Sequence, residues 1–227
     1  MIGEKSSKPG SKPPTSLRLL KQLPDNKYCH TVCSHRGVIY VGLGDGSINR
    51  IDATGKLTAA FIKLPKQILT IRAHQDRLII LLSQQSSIYV YSLEGQQVAF
   101  WDHADTGGSY VGNNLCVVSG EIFVNDASNQ RITVYDLNGR LVRHIPCPLP
   151  NGSTYASLSY SGENCFIITT QSPAQVLKFD TKTTTVLWTN TLPKVPYCVA
   201  STSQAVFVSG YGLSMGVWIA VLNLENG

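Results

Sequence analysis

A β-propeller, an all-β fold of four-stranded antiparallel sheets, is predicted by three observations. One short segment recurs five times, ending at Ile48–Gly55, Ile88–Gly95, Ile132–Gly139, Val176–Thr183 and Trp218–Gly227. Its turn residue stands at Asp52, Ser92, Asp136, Asp180 and Asn223, with spacings of 40, 44, 44 and 43 residues. Propeller blades repeat every ~40–50 residues. Short alternating apolar runs separated by turn residues fill the copies, and no stretch sustains a helical period.

The third copy shows the elements in order. Leu115–Val118 reads as a first strand, a Ser-Gly turn leads to a second over Glu121–Val124, and a polar loop spans Asn125–Asn129. Arg131–Tyr135 reads as the third strand. Asp136–Gly139 then makes a tight turn, whose Asn138-Gly139 pair suits the positive φ of a two-residue hairpin. Leu141–Ile145 is the fourth strand. A single sheet of this size cannot bury its own faces; stacking the sheets face to face buries them, and closing the ring protects the edges.

Ser16–Pro24 is similar to the fourth-strand segments that end in Leu-Pro at Pro65, Pro150 and Pro193. Residues 17–23 are therefore expected to complete the last sheet. Blades are expected near 28–64, 69–103, 112–147, 155–192 and 197–227, within a propeller over 16–227. Two arrangements remain open: a five-bladed ring, or a six-bladed ring lacking roughly one blade.

Charge bounds the function. The chain carries a formal net charge of +5. Six basic residues against two acidic ones in residues 1–27 account for +4 of it, leaving 13 basic and 12 acidic residues in the rest. Residues 1–15, rich in Lys, Pro, Gly and Ser, read as a flexible tether. On net charge the body is a poor general binder of phosphate backbones, which demand clustered Lys and Arg. No run reaches the ~20 apolar residues of a membrane span, and the N-terminus lacks the apolar core of a signal peptide. A cytoplasmic location without membrane association is expected. The six cysteines are then thiols, and the Asn151-Gly-Ser153 sequon is idle.

The segment Asn125-Asp-Ala-Ser-Asn129-Gln-Arg131-Ile-Thr-Val-Tyr-Asp136-Leu-Asn-Gly139 resembles the core of an NHL repeat. The wider texture, with His30-Thr-Val-Cys33, Tyr40-Val-Gly42 and His74-Gln-Asp-Arg77-Leu, is similar to the C-terminal propellers of invertebrate tripartite-motif (TRIM-NHL) proteins. The resemblance covers roughly residues 17–227; the first copy lacks the Asn-x-Arg pair and the fourth has Gln171-Ser-Pro-Ala-Gln175 instead. It implies six blades and a propeller that recruits a substrate or an RNA. Ubiquitin-ligase activity would arise only by association with a RING, since no Cys/His-rich RING or B-box precedes the repeats in this sequence. Asp180–Trp188 resembles a quinoprotein-type repeat but occurs once, so no cofactor is expected.

Several motifs invite chemistry. Gly212-Leu-Ser214-Met-Gly216 matches a nucleophile elbow, which requires a strand, a turn and then a helix, yet strands flank it here. Cys29 and Cys33 lie about 13 Å apart along one strand, too far to share a zinc ion or a disulfide. Cys29 and Cys198 each follow a tyrosine at matching blade positions and are expected to be small buried thiols. Gly42-Leu-Gly44-Asp-Gly46 lacks the following helix of a phosphate cradle and reads as a turn. His103 and Asp105 fall in a long solvated loop.

Propellers present loops, because their strands are committed to the blades. The loops between second and third strands contribute Asp45, Gln84, Gln85, Asp126, Asn129, Arg131, Gln171 and Tyr211. Those between blades contribute Lys66, His103, Tyr110 and Tyr155. This polar set, mixed in sign and moderately aromatic, predicts recognition of a protein partner without catalysis, metal or small-molecule cofactor. Single-stranded RNA is the rival ligand and would require stacking aromatics beside converging Arg72 and Arg131. A propeller hydrolase or lactonase would require Asp45 and Asp126 to converge on a central metal.

Overall fold

The computed structural model describes residues 28–83, 87–102, 115–126, 129–147, 156–211 and 217–225. The tether and the expected closing strand at residues 17–23 lie outside them. The first sheet holds β1 (Cys29–His35), β2 (Val38–Leu43), β3 (Ser47–Ile51) and β4 (Leu57–Lys63). The second holds β5 (Ile68–His74), β6 (Arg77–Leu82), β7 (Ser87–Ser92) and β8 (Gln97–Asp102). The third holds β9 (Leu115–Val118), β10 (Glu121–Asp126), β11 (Arg131–Asp136) and β12 (Leu141–Pro146). The fourth holds β13 (Ala156–Gly162), β14 (Cys165–Gln171), β15 (Ala174–Asp180) and β16 (Thr185–Thr191). The fifth, three-stranded among the described residues, holds β17 (Pro196–Ser201), β18 (Ala205–Tyr211) and β19 (Val217–Asn223). Every neighbouring pair is antiparallel, and no helix among the described residues is long and apolar enough to cross a membrane.

The recurring turn residue closes the hairpin between the third and fourth strands. Asp136 Oδ1 accepts the N–H groups of Asn138 and Arg140, both at 2.9 Å. Asp52 does the same for Thr54 and Lys56, and the Ser92 hydroxyl for Glu94 and Gln96. Asp180 and Asn223 each take the N–H two residues on. A short side-chain oxygen that mimics a backbone acceptor explains why only Asp, Ser and Asn occupy these five positions. Gly139 follows at φ +86°, and a Cβ there would lie 2.4 Å from the Trp101 ring. It thus serves both the turn and the packing of two sheets.

Apolar layers lie between sheets, and strand alternation decides which layer each residue enters. In β6, Leu78, Ile80 and Leu82 face the first sheet, while Ile79 and Leu81 face the third. In β10, Ile122 and Val124 face the second sheet and Phe123 the fourth. In β14, Phe166 and Ile168 face the third sheet and Ile167 the fifth. Second strands sandwiched in this way read as continuous apolar runs.

The first strand of each sheet is innermost: β1 packs on β5, β5 on β9, β9 on β13 and β13 on β17. Such a strand pairs on one side only, so alternate N–H groups have no strand partner. Side chains of the preceding blade supply the acceptor. Thr31 Oγ1 accepts from Ile71 N–H at 3.3 Å, and Ser157 Oγ accepts from Val199 N–H at 3.2 Å. Ser159 Oγ accepts from Ser201 N–H at 3.1 Å. Between the third and fourth blades the direction reverses: the Cys116 thiol donates to the Leu158 carbonyl at 3.2 Å.

Three expectations change. β10 extends through Asn125 and Asp126, because partners across the turn satisfy the Asp126 carboxylate inside the sheet. Cys29 and Cys198 do not occupy matching positions: Cys29 pairs with Leu43, whereas Cys198 pairs with Ser209 and so matches Thr31, the partner of Gly42. Neither thiol is buried, since both sit on the innermost strands of the end sheets; Cys116, Cys147 and Cys165 of the inner sheets are buried.

Ser157→Ala should lower the unfolding free energy by about 1–2 kcal/mol in chemical denaturation, by leaving the buried Val199 N–H without this acceptor. A second outcome concerns acid. The Thr54 hydroxyl, then the Lys56 amide, holds the Asp52 carboxyl below the ordinary carboxylate range; the Lys182 amide does the same for Asp180. A depressed carboxyl contributes stability that is complete above the unfolded-state value, about 4, and is lost as pH falls through the folded-state value. The Asp52→Asn/Asp180→Asn variant should therefore show a flatter loss of stability below pH ~4, measured by thermal melts across a pH series.

Candidate functional site: the loop face

Connections from second to third strands lie beside those that link successive blades, and backbone hydrogen bonds tie the two sets together. Leu64 N–H donates to the Gly46 carbonyl (2.9 Å), Ser83 N–H to Gln67 (2.9 Å), Cys147 N–H to Gln130 (2.8 Å) and Leu192 N–H to Ala174 (2.8 Å). These bonds gather one set of loops on one face, as strand direction alone requires.

In the first blade, Asp45 is exposed and its Oδ1 accepts the Ser47 N–H at 2.9 Å. Lys63 Nζ donates to the Asp45 carbonyl and lies 3.7 Å from Oδ2. Gly46, at φ +83°, sits under the blade connection: a Cβ would lie 2.4 Å from the Leu64 carbonyl oxygen and 2.7 Å from that of Lys66. The Gly-rich segment Gly42–Gly46 is thus a turn entering β3. Lys66 is half-buried in the connection. Beside it, the Gln67 side-chain amide lies 3.0 Å from His30 Nε2, and His30 covers Gly44. Sequence reading missed His30, Lys63 and Gln67 as face residues. His30 and Gln67 stand 37 positions apart in the chain, and only blade stacking joins them.

In the third blade, Asp126, Asn129 and Arg131 form one clasp. Asn129 Nδ2 lies 2.9 Å from both Asp126 carboxylate oxygens, and Arg131 Nε donates to Oδ2 at 2.9 Å. Asp126 is 0% exposed. The NHL-like motif here closes its own loop, Asp126 offers no free carboxylate to a partner, and Arg131 is committed to it. Gln171 reaches from the end of β14 toward the Pro196 carbonyl (3.4 Å), spanning two blades. Asp45 and Asp126 are each held within their own blade.

Gln84, Gln85, His103, Tyr110 and Tyr155 lie outside the described residues. So do Asp105 and the side chain of Tyr211, whose backbone pairs with Val217. Gly212–Gly216 also lies outside the described residues, between the paired strands β18 and β19. Arg72 lies in β5, half-buried, and its guanidinium donates to the Ile71 carbonyl at 3.0 Å. It also faces Cys33, whose thiol burial pushes up to about 11, and Cys116, likewise raised by burial. Thiols held protonated at neutral pH are poor nucleophiles and metal ligands. Among the described residues no three His, Cys, Asp or Glu side chains come together as a metal-binding group.

The sheet arrangement matches known structures over most of the chain. The WD40 domain of Neurospora crassa Pan2 superposes with a TM-score of 0.68 at 16% identity, covering 88% of this chain and 63% of that one. The chain is a β-propeller. A structure of a nidogen/laminin complex gives 0.66 at 16% identity, covering 87% and 76%. Virginiamycin B lyase from Staphylococcus aureus gives 0.62 at 14%, covering 85% and 69%. This propeller thus spans less than two thirds of the Pan2 domain. No protein-family model and no curated sequence matches it.

Asp126→Ala should destabilise the propeller by about 3 kcal/mol, because it strands the Arg131 guanidinium beside a buried cavity. Asp126→Asn should cost less. Equilibrium unfolding of the two variants checks the order.

Proposed function

We propose that this propeller is a non-catalytic binding module that recognises a protein partner through its loop face. The observation that carries the reading is the division of labour among the polar groups. Asp126 and Arg131 are spent on holding a loop, while Asp45 and Lys63 are exposed beside one another with opposite charge. A face of mixed sign, with backbone-anchored loops, complements a polar protein surface better than a uniformly charged strand. Fold likeness supports binding as a general role: propellers serve as scaffolds, and one matched structure is of a nidogen/laminin complex. The finer reading is recruitment in the manner of the TRIM-NHL proteins, with any ubiquitin-ligase activity residing in an associated RING, in the cytoplasm.

Single-stranded RNA is less well supported. Arg131 is paired to Asp126, and Arg72 lies on an inner strand among cysteines instead of in an exposed loop. Convergent arginines beside stacking rings are what an RNA site requires.

Affinity capture from cytosolic extract, with and without RNase, tests the choice. The captured proteins should survive RNase. A Lys63→Glu/Lys66→Glu variant should reduce their recovery at least fivefold, with a circular dichroism spectrum like that of the parent. Loss of every captured protein on RNase treatment would replace the reading with RNA binding.

A further inference from the structure

Charge is nearly absent from the inner edge of the propeller. The innermost strands β1, β5, β9, β13 and β17 carry a single Lys, Arg, Asp or Glu residue between them, Arg72. Register sets its level along the strands. Arg72 pairs with Ile79, and the residues that likewise pair with the third position of a second strand are Cys33, Cys116, Ser159 and Ala200. Four short side chains thus share a level with one long cation.

Hydrogen bonds show which way the cation turns. Ile71 N–H leaves β6 and donates to Thr31 Oγ1 of the preceding blade at 3.3 Å. A residue in an antiparallel ladder presents its N–H and C=O on the same side, so the Ile71 carbonyl also faces the inner edge. Arg72 Nη1 donates to that carbonyl at 3.0 Å, which folds the guanidinium back over the edge of its own strand. Cys33 of the first blade lies within its electrostatic reach, and the Cys116 thiol of the third accepts a hydrogen bond from it. One guanidinium thereby spans the inner edges of three consecutive blades, half-buried and still in touch with solvent.

The partners this geometry gives Arg72 are neutral. A carbonyl has no net charge, and burial holds the Cys33 and Cys116 thiols protonated. A guanidinium stays charged at every physiological pH, and partial removal from bulk water makes its charge costly. An anion relieves that cost, and the planar fork of N–H donors fits two oxygens of a carboxylate or a phosphate. We propose that Arg72 makes the inner edge of the propeller a binding site for one small oxyanion, held at the level of Cys33 and Cys116. A nucleic-acid strand is a poor occupant, because it calls for a track of cations with stacking rings, and the innermost strands supply a single Arg. The site is independent of the loop-face reading: Arg72 stands on an innermost strand, whereas Lys63 stands on an outermost one.

The test uses the full chain and two probes, radiolabelled inorganic phosphate and radiolabelled acetate, in equilibrium dialysis at fixed ionic strength so that screening is equal throughout. One ion should bind per chain, and the tighter of the two probes names the site as one for phosphates or for carboxylates. Arg72→Met should weaken binding at least tenfold, while Lys63→Met, on the loop face, should leave it within twofold. Because Arg72→Met can disturb the packing around Cys116, a second arm requires no variant. The parent chain is treated with phenylglyoxal, which modifies guanidinium groups, and each arginine is followed by mass spectrometry. The bound ion should slow modification of Arg72 at least fivefold and leave the exposed Arg36 unchanged. Failure of both probes to bind overturns the proposal. So does undiminished binding by Arg72→Met, or an Arg72 that phenylglyoxal modifies equally fast with and without the ion.

Discussion

An innermost strand with one unpaired edge is the constraint from which the architecture follows. Its outward N–H groups cannot reach water once the next blade packs over them, and leaving such a group unbonded costs about 1–3 kcal/mol. The hydroxyls of Thr31, Ser157 and Ser159 answer this by reaching from one blade to the backbone of the next. Apolar layers supply most of the attraction between sheets, but they are not directional. The hydroxyl contacts set how one sheet meets its neighbour at the centre.

That arrangement divides the molecule between cohesion and presentation. Second and third strands of the second, third and fourth sheets are sandwiched, so their apolar side chains are consumed in packing. Hairpin turns at Asp52, Ser92, Asp136 and Asp180 satisfy their own backbones and project on one face. The opposite face holds the longer loops, which the Leu64, Ser83, Cys147 and Leu192 amides anchor to neighbouring connections. A partner meeting this face would meet anchored loops, which lose little freedom on binding.

Two motifs that look like functional signals turn out to serve the fold. Asp126, Asn129 and Arg131 satisfy one another, so the most family-like stretch of sequence is a loop clasp. Gly44 and Gly46 let His30 and the Leu64–Lys66 carbonyls approach the backbone. Lys63, exposed beside Asp45, belongs to no motif at all. Such sites are hard to read from one sequence because their chemistry is ordinary and only their neighbours make them a surface.

Sequence by itself determined the blade, because its signals are local. The spacing of Asp52, Ser92, Asp136, Asp180 and Asn223, alternation within strands and Asn138-Gly139 all act over a few residues. They placed Leu115–Val118 as the first strand of the third sheet without a shift. Tertiary structure alone decided burial and exposure. The same alternation buries Ile88, Ile132 and Val176 and leaves Ile219 open, and the same side of the innermost strand hides the Cys116 thiol in the third sheet and uncovers Cys198 in the fifth. A residue's place on a strand follows from its neighbours in sequence; whether it meets water depends on the next sheet, which lies some forty residues away.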